Sequence, residues 1–252
     1  MDVRELWMSH IKKERAGFDT IYAKDIFSNW ETTRQPEARG ERCLEDALEL
    51  RYGQDQTGLA EQFLERSLLV VSRVLAEERF DPGIVVTFGP SKARGKALET
   101  RSLTNALLGR GLDKAALCDA APDFVTWALY ERWDDHSEDA YLRAVRLLLI
   151  AGDIEKAAEL IKIRRKFKWH GEQAEILRRI ISCAVFPIHD DALLASFDAI
   201  FDPLRPRFPV GKIKAFTHTE MTRIELGAIR DKYFVSPNRE IDWDRTIDAI
   251  SR

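Results

Sequence analysis

The chain has 252 residues, enough to bury the core of one large domain or two small ones. It is 45% hydrophobic and 32% charged, which excludes a disordered chain, and its formal net charge of −3 lacks the basic excess of a dedicated nucleic-acid binder. The N-terminus has no apolar core of signal-peptide length. The longest apolar run, Leu147–Ala151, falls far short of the roughly 20 residues of a membrane span. The expected location is therefore the cytoplasm, with no membrane partner. Cys43, Cys118 and Cys183 are an odd, widely spaced set, read as core thiols in a reducing compartment.

Val3, Leu6, Trp7, His10 and Ile11 share one face and begin a first helix. Residues 31–42, with Pro36 and Gly40, read as a loop. Leu44, Ala47, Leu48 and Arg51 start a second helix that breaks near Gly53. Ala60, Phe63, Leu64, Ser67, Val70, Val71, Val74 and Leu75 predict a long amphipathic helix from Gly58 to Arg79. Residues 81–102 interrupt this pattern. Asp81-Pro82-Gly83 is a turn signal, Ile84–Phe88 is the one clear β-type run, and Gly89-Pro90 ends it. That segment reads as a crossover loop. It divides residues 1–80 from a helical-hairpin region, 103–252, within a single domain 1–252.

Helical spacing then recurs over 103–108, 112–120, 124–133, 140–151, 154–166, 173–186 and 192–201. Three prolines make 202–211 a loop, and two further helices fall around 219–233 and 242–251. The fold class is all-α: stacked antiparallel helical hairpins, about ten helices, with one short extended segment near 84–88. Leu112–Ala116 and Ile154–Ala158 match at an offset of 42, as do Trp127 and Trp169. The match does not extend to either side.

The clearest unit is Ala140–Lys166. From Ala140 to Ala151 the polar residues are Arg143 and Arg146, so this helix is buried over most of its circumference. Gly152 suits a left-handed helix end and Asp153 caps the next helix. Ile154, Ala157, Ala158 and Ile161 then form a one-sided stripe.

Catalytic motifs are absent. Gly89–Ala97 imitates a phosphate loop, but five residues separate its glycines and Ala97 stands where a metal-ligating hydroxyl belongs. His189-Asp190 matches the dipeptide of the helical HD phosphohydrolases without their remaining ligands in context. His10, His136, His218 and Glu220 have no spaced partners. Neither enzymatic activity nor a metal or cofactor is expected.

Two charged clusters remain. Trp133, Asp134, Asp135, His136, Glu138 and Asp139 make an acidic interhelical turn. It reads as helix capping or, functionally, as an acidic face for a basic partner. Trp30 and Trp133 have the most polar surroundings of the six tryptophans, and an exposed one would anchor an interface. Lys92, Arg94 and Lys96 form a basic loop, and Arg164, Arg165, Lys166 and Lys168 a basic run interleaved with Phe167 and Trp169. Cations with stacking aromatics serve single-stranded nucleic acids; the plainer reading is a helix C-terminus with Phe167 and Trp169 as core anchors.

Leu147–Leu160, LLLIAGDIEKAAEL, resembles the AGD-hinged hairpins of all-α immunity proteins from bacterial polymorphic-toxin systems, and equally tetratricopeptide-like hairpins. The resemblance implies a cytoplasmic, toxin-neutralising protein whose partner is another protein, its cognate toxin. The expected function is a non-enzymatic protein-binding module. The alternatives are a nucleic-acid-associated helical protein and an enzyme with a dispersed site. Homo-oligomerisation is left open.

Overall fold

In the computed structural model, the described residues are 35–48, 50–51, 56–78, 89–130, 132–185, 191–193, 195, 220–235, 237 and 239–246. The chain divides into two compact units, Met1–Arg34 and Gln35–Arg252, and every described residue belongs to the second. The expected helix at 3–11, the run 84–88, the pair 189–190, the loop 202–211 and position 218 lie outside them.

The described elements are α1 (Pro36–Leu48), α2 (Thr57–Ala76), α3 (Gly89–Leu107), α4 (Lys114–Tyr130), α5 (Asp135–Ala151), α6 (Ile154–Leu160), α7 (Gly171–Val185) and α8 (Glu220–Arg230), with a π turn at Asp231–Val235. The protein is all-helical, and no strand occurs among the described residues. Each of α1 to α6 packs on the next in the chain, giving stacked hairpins, and α8 returns to pack on α5. No described helix is long and apolar enough to cross a membrane.

Two segments read as loops are helical. Residues 36–42 belong to α1. Pro36 takes the first helical position, where its missing N–H leaves no bond unmade. Gly40 faces α2, where the Ser67 hydroxyl donates to its carbonyl at 2.7 Å. Residues 89–102 are not a crossover but most of α3, which packs on both α2 and α4. Ala93, Ala97 and Leu98 face the core. Gly95, a glycine of the false phosphate loop, is a close-approach site: a Cβ there would lie 3.1 Å from Cβ of Asp123 and 3.3 Å from the Phe124 ring. Its role is packing.

α4 runs unbroken through Pro122, where two helices were expected. The proline ring faces solvent, while Leu117, Ala120, Ala121, Phe124 and Ala128 continue one buried face across it. The hinge after α5 is as expected. Gly152 has φ 93°, its N–H reaches the Leu149 carbonyl, and the Asp153 N–H reaches that of Leu148, a Schellman closure. Asp153 then accepts from the Lys156 N–H at 3.1 Å.

The second arm is shorter than expected, ending at Leu160 rather than Lys166. The Tyr141 hydroxyl donates to the Leu160 carbonyl at 2.8 Å, occupying an acceptor that a continuing helix would use. The echo at an offset of 42 has no structural counterpart. Leu112–Ala116 straddles the start of α4, Ile154–Ala158 opens α6, and Trp127 sits within α4 while Trp169 sits in a loop.

The larger core joins α4, α5, α6 and α7 with Leu226, Ala228 and Ile229 of α8. A smaller one gathers Leu44, Ala47, Leu64, Leu103 and Leu107 with Met221 and Ile224 of α8. The π turn closes the end of α5: Lys232 Nζ donates to the Ile150 carbonyl at 2.8 Å and the Tyr233 hydroxyl to that of Leu149 at 2.7 Å.

Two of the helical glycines, Gly40 and Gly58, test this packing with opposite signs. A methyl group at Gly40 would collide with the buried Val71, whereas Gly58 has open space around it. Gly40→Ala is expected to destabilise, because overpacking costs about 1–3 kcal/mol against about 1 kcal/mol of helix propensity regained. Gly58→Ala is expected to stabilise by about 0.5 kcal/mol. Urea unfolding of the two variants checks the signs.

Candidate functional site

The strongest concentration of ionisable groups is internal. Arg146, on the central face of α5, is the largest fully buried side chain among the described residues. Its Nε donates to Glu225 of α8, its Nη1 to Gln173 Oε1 of α7 at 2.8 Å, and its Nη2 lies 3.4 Å from Asp139. One turn earlier, Arg143 Nε donates to Glu99 Oε1 of α3 at 3.0 Å and Nη2 to Glu41 Oε1 of α1 at 2.8 Å. Its guanidinium also lies 4.8 Å from the centre of the Phe124 ring. Lys96 reaches the second oxygen of Glu41.

Glu41, Glu99, Asp139 and Glu225 thus surround Lys96, Arg143 and Arg146, one carboxyl more than there are cations. The difference falls on Glu99. Burial pushes its carboxyl well above the usual carboxylate range; Arg143 opposes that shift and the Glu225 charge adds to it. Burial also works against the charge of Glu41, but Lys96 and Arg143 outweigh it and hold that group at about 2. The centre joins α1, α3, α5, α7 and α8. It binds the helices together.

The acidic turn is also spent internally. Asp134 caps α5 by accepting from the Ser137 N–H at 3.0 Å. Asp135 lies 2.7 Å from His170 Nε2, and Asp139 pairs with Arg146. Glu138 is fully buried. Its two oxygens accept the backbone N–H groups of Lys168 (2.7 Å), Trp169 (2.8 Å) and His170 (3.0 Å). Hydrogen bonds to a charged acceptor are worth about 1.5–3 kcal/mol each, so this one side chain fixes the path of the loop at 161–170. Glu138 and Asp139 therefore do not belong to an outward acidic face. Asp134 and His136 are exposed.

Trp133 is half-buried in a cluster with Tyr141 and Phe167, at ring-centre distances of 5.8 and 5.6 Å. Its indole N–H donates to the Lys166 carbonyl at 3.0 Å, and Arg165 lies over its ring. Phe167 is a core anchor as expected, but Trp169 is 61% exposed and is not. Trp30 lies outside the described residues.

The two basic runs have separate fates. Lys92 stacks on Trp127 at 3.8 Å, Arg94 pairs with Asp123 at 2.7 Å, and Lys96 pairs with Glu41. All three lie on a packed helix rather than a surface loop. Arg164, Arg165, Lys166 and Lys168 are exposed together beside Trp169. They follow a helix end only at a distance, because α6 stops at Leu160.

An open groove of about 890 Å³ lies between the start of α2 and the turn after α3, bordered by Arg51, Glu61, Glu65, Arg110 and Asp244. Arg51 pairs with Asp244 and Arg110 with Glu65, and none of the candidate residues lines it. Among the described residues no three of His, Cys, Asp and Glu converge as metal ligands. The clamp at Glu138 and the centre around Arg143 and Arg146 escape a reading of sequence alone. Their one signal is two arginines in an otherwise apolar helix, which demand buried anions. No family model, curated protein or solved structure matches this chain.

Two predictions follow from the buried charge. Arg146→Gln leaves Glu225 with only the more distant Arg143, 3.6 Å away, and is expected to cost about 3–5 kcal/mol, whereas Glu99→Gln keeps the shape and an acceptor for Arg143 where burial already disfavours the charge and is expected to cost less than about 1 kcal/mol. Urea titration at pH 7 distinguishes them; equal losses would contradict the unequal dependence of the centre on these two side chains. The second concerns Glu45, which burial and the Glu41 charge raise from 4.5 to about 7. The folded state binds this proton more tightly, so its stabilisation is complete below pH 4.5 and is lost as pH rises towards 7. Glu41, lowered to about 2, contributes above 4.5 and loses its contribution as pH falls. Glu45→Gln is expected to flatten the stability profile between pH 4.5 and 7 while leaving the acid limb in place.

Proposed function

We propose that this chain is a non-enzymatic protein-binding module that acts in the cytoplasm as an inhibitor, of the kind represented by immunity proteins, of a cognate toxin or enzyme. The observation that carries the reading is the loop at 161–170. It presents an exposed Trp169 on backbone held by a buried carboxylate. Rigid exposed aromatics are the usual anchors of protein interfaces, because little entropy is lost when they are covered. The buried charge centre supports the same reading, since its carboxyls are consumed by arginines and serve the scaffold. The likeness of Leu147–Leu160 to immunity-protein hairpins supplies the inhibitor class.

A second reading, nucleic-acid association, now rests on Arg164, Arg165, Lys166 and Lys168 alone, since Lys92, Arg94 and Lys96 are engaged within the fold. Affinity capture from the native organism, together with co-expression with the product of the adjacent gene, tests the first reading. The expected result is one protein captured by the wild type, lost with Trp169→Ala, whose toxicity the wild type suppresses. Capture indifferent to Trp169→Ala would remove it. Retention on DNA at low salt that falls steeply as salt rises would favour the second.

A further inference from the structure

We infer that the surface formed by Tyr130, Arg132, Arg164, Arg165, Lys168 and Trp169 docks a short acidic segment of a partner protein. The inference rests on the protein-binding reading above and adds the chemistry of the partner, with a sign opposite to that expected from the acidic turn.

The surface is assembled by one tie. The hydrogen bond from the Trp133 indole to the Lys166 carbonyl joins the turn between α4 and α5 to the loop after α6. Tyr130 lies three residues before Trp133 and Trp169 three residues after Lys166, so each ring is within about 11 Å of chain from the tie. They are the two most exposed aromatic rings among the described residues, at 68% and 61%. Both are held from behind, Trp169 through Glu138 and the turn through Ser137, whose hydroxyl donates to the Arg132 carbonyl at 2.8 Å.

Charge defines what they meet. Arg132, Arg164, Lys166 and Lys168 are exposed and have no ion-pair partner among the described residues, and Arg165 lies over the Trp133 ring without one. Elsewhere, Arg51, Arg94, Lys96, Arg101, Arg110, Arg143, Arg146 and Arg245 are all paired within the fold. A run of free positive charge thus lies beside the exposed Trp169 in a chain whose net charge is −3. Carboxylates interspersed with apolar side chains complement that combination.

The patch is also short. Along the chain, Asp134 and Asp135 follow Arg132 by two and three residues, and the exposed Glu172 and Glu175 follow Trp169 by three and six. A phosphate backbone carries charge at every residue and would run into these acids. The run Lys92–Lys96, which might have extended its track, is bound within the fold. A peptide segment with a few acids fits between the limits.

The test uses the full chain and three labelled probes: a dodecapeptide alternating Glu and Asp with Leu, its Lys-for-acid counterpart, and a dodecamer of thymidine. Fluorescence anisotropy at about 50 mM salt is expected to show saturable binding of the acidic peptide alone. Arg164→Glu with Lys168→Glu is expected to weaken it about fivefold or more, as is Trp169→Ala. These surface substitutions keep the helical circular dichroism of the wild type. No binding of the acidic peptide, equal binding of the Lys peptide, tighter binding of the oligonucleotide, or indifference to the charge reversal would each overturn the inference. A partner captured through Trp169 but unaffected by the charge reversal would refute the acidic chemistry and leave the protein-binding reading standing; capture independent of Trp169 would remove that reading itself.

Discussion

Arg143 and Arg146 stand one turn apart on the most buried helix of the molecule, and the helices around them are committed to supplying oxygen. A buried guanidinium without an acceptor costs several kcal/mol. Glu41 arrives from α1, Glu99 from α3, Gln173 from α7 and Glu225 from α8. Each helix must therefore adopt a register that delivers its carboxyl or amide to α5. Apolar contacts alone would tolerate sliding between helices; directional, charged hydrogen bonds do not. Burial and the Glu225 charge both push Glu99 towards its neutral form, because two ionised carboxylates in one dry site would repel each other.

The same helix organises the surface at its other end. Its first turn carries acids, as a helix N-terminus favours. Asp134 turns back to cap the helix, while Glu138 reaches across to three successive amides of the loop after α6. One carboxylate thereby does for an irregular loop what a ladder does for a strand: it satisfies donors that would otherwise be lost in the interior. The loop is fixed with Phe167 inward and Trp169 outward. The cations around Trp169 follow from this path, since Lys166 and Lys168 have no inward partner once the backbone between them is held.

Much of the helical architecture was legible because spacing and punctuation agree. The stripe from Ala60 to Leu75 yields α2, and Gly152-Asp153 yields the hinge, each by a local mechanism. Errors came where local punctuation competed with packing. Pro36, Pro90 and Pro122 suggested breaks, yet two stand in first turns and the third turns its ring to solvent. Gly40 and Gly95 suggested loops, yet both are points where helices touch. The charged clusters were visible as composition, but their direction was not. Glu138 and Trp169 exchange the roles expected of them, the acid buried and the ring exposed.

The order of residues along the chain was enough to establish an all-helical fold, the turn of its central hairpin, and an apolar α5 interrupted by two arginines. These follow from periodicity, from the left-handed conformation open to glycine, and from the cost of placing charge in an apolar helix. Only the tertiary structure decided which anions meet those arginines, where α6 stops, and which side of the charged turn faces outward. Each of these depends on atoms brought together from positions tens of residues apart, such as Glu41 with Arg143 and Glu138 with His170. Hydrogen-bond partners at that separation leave no periodic trace along the chain.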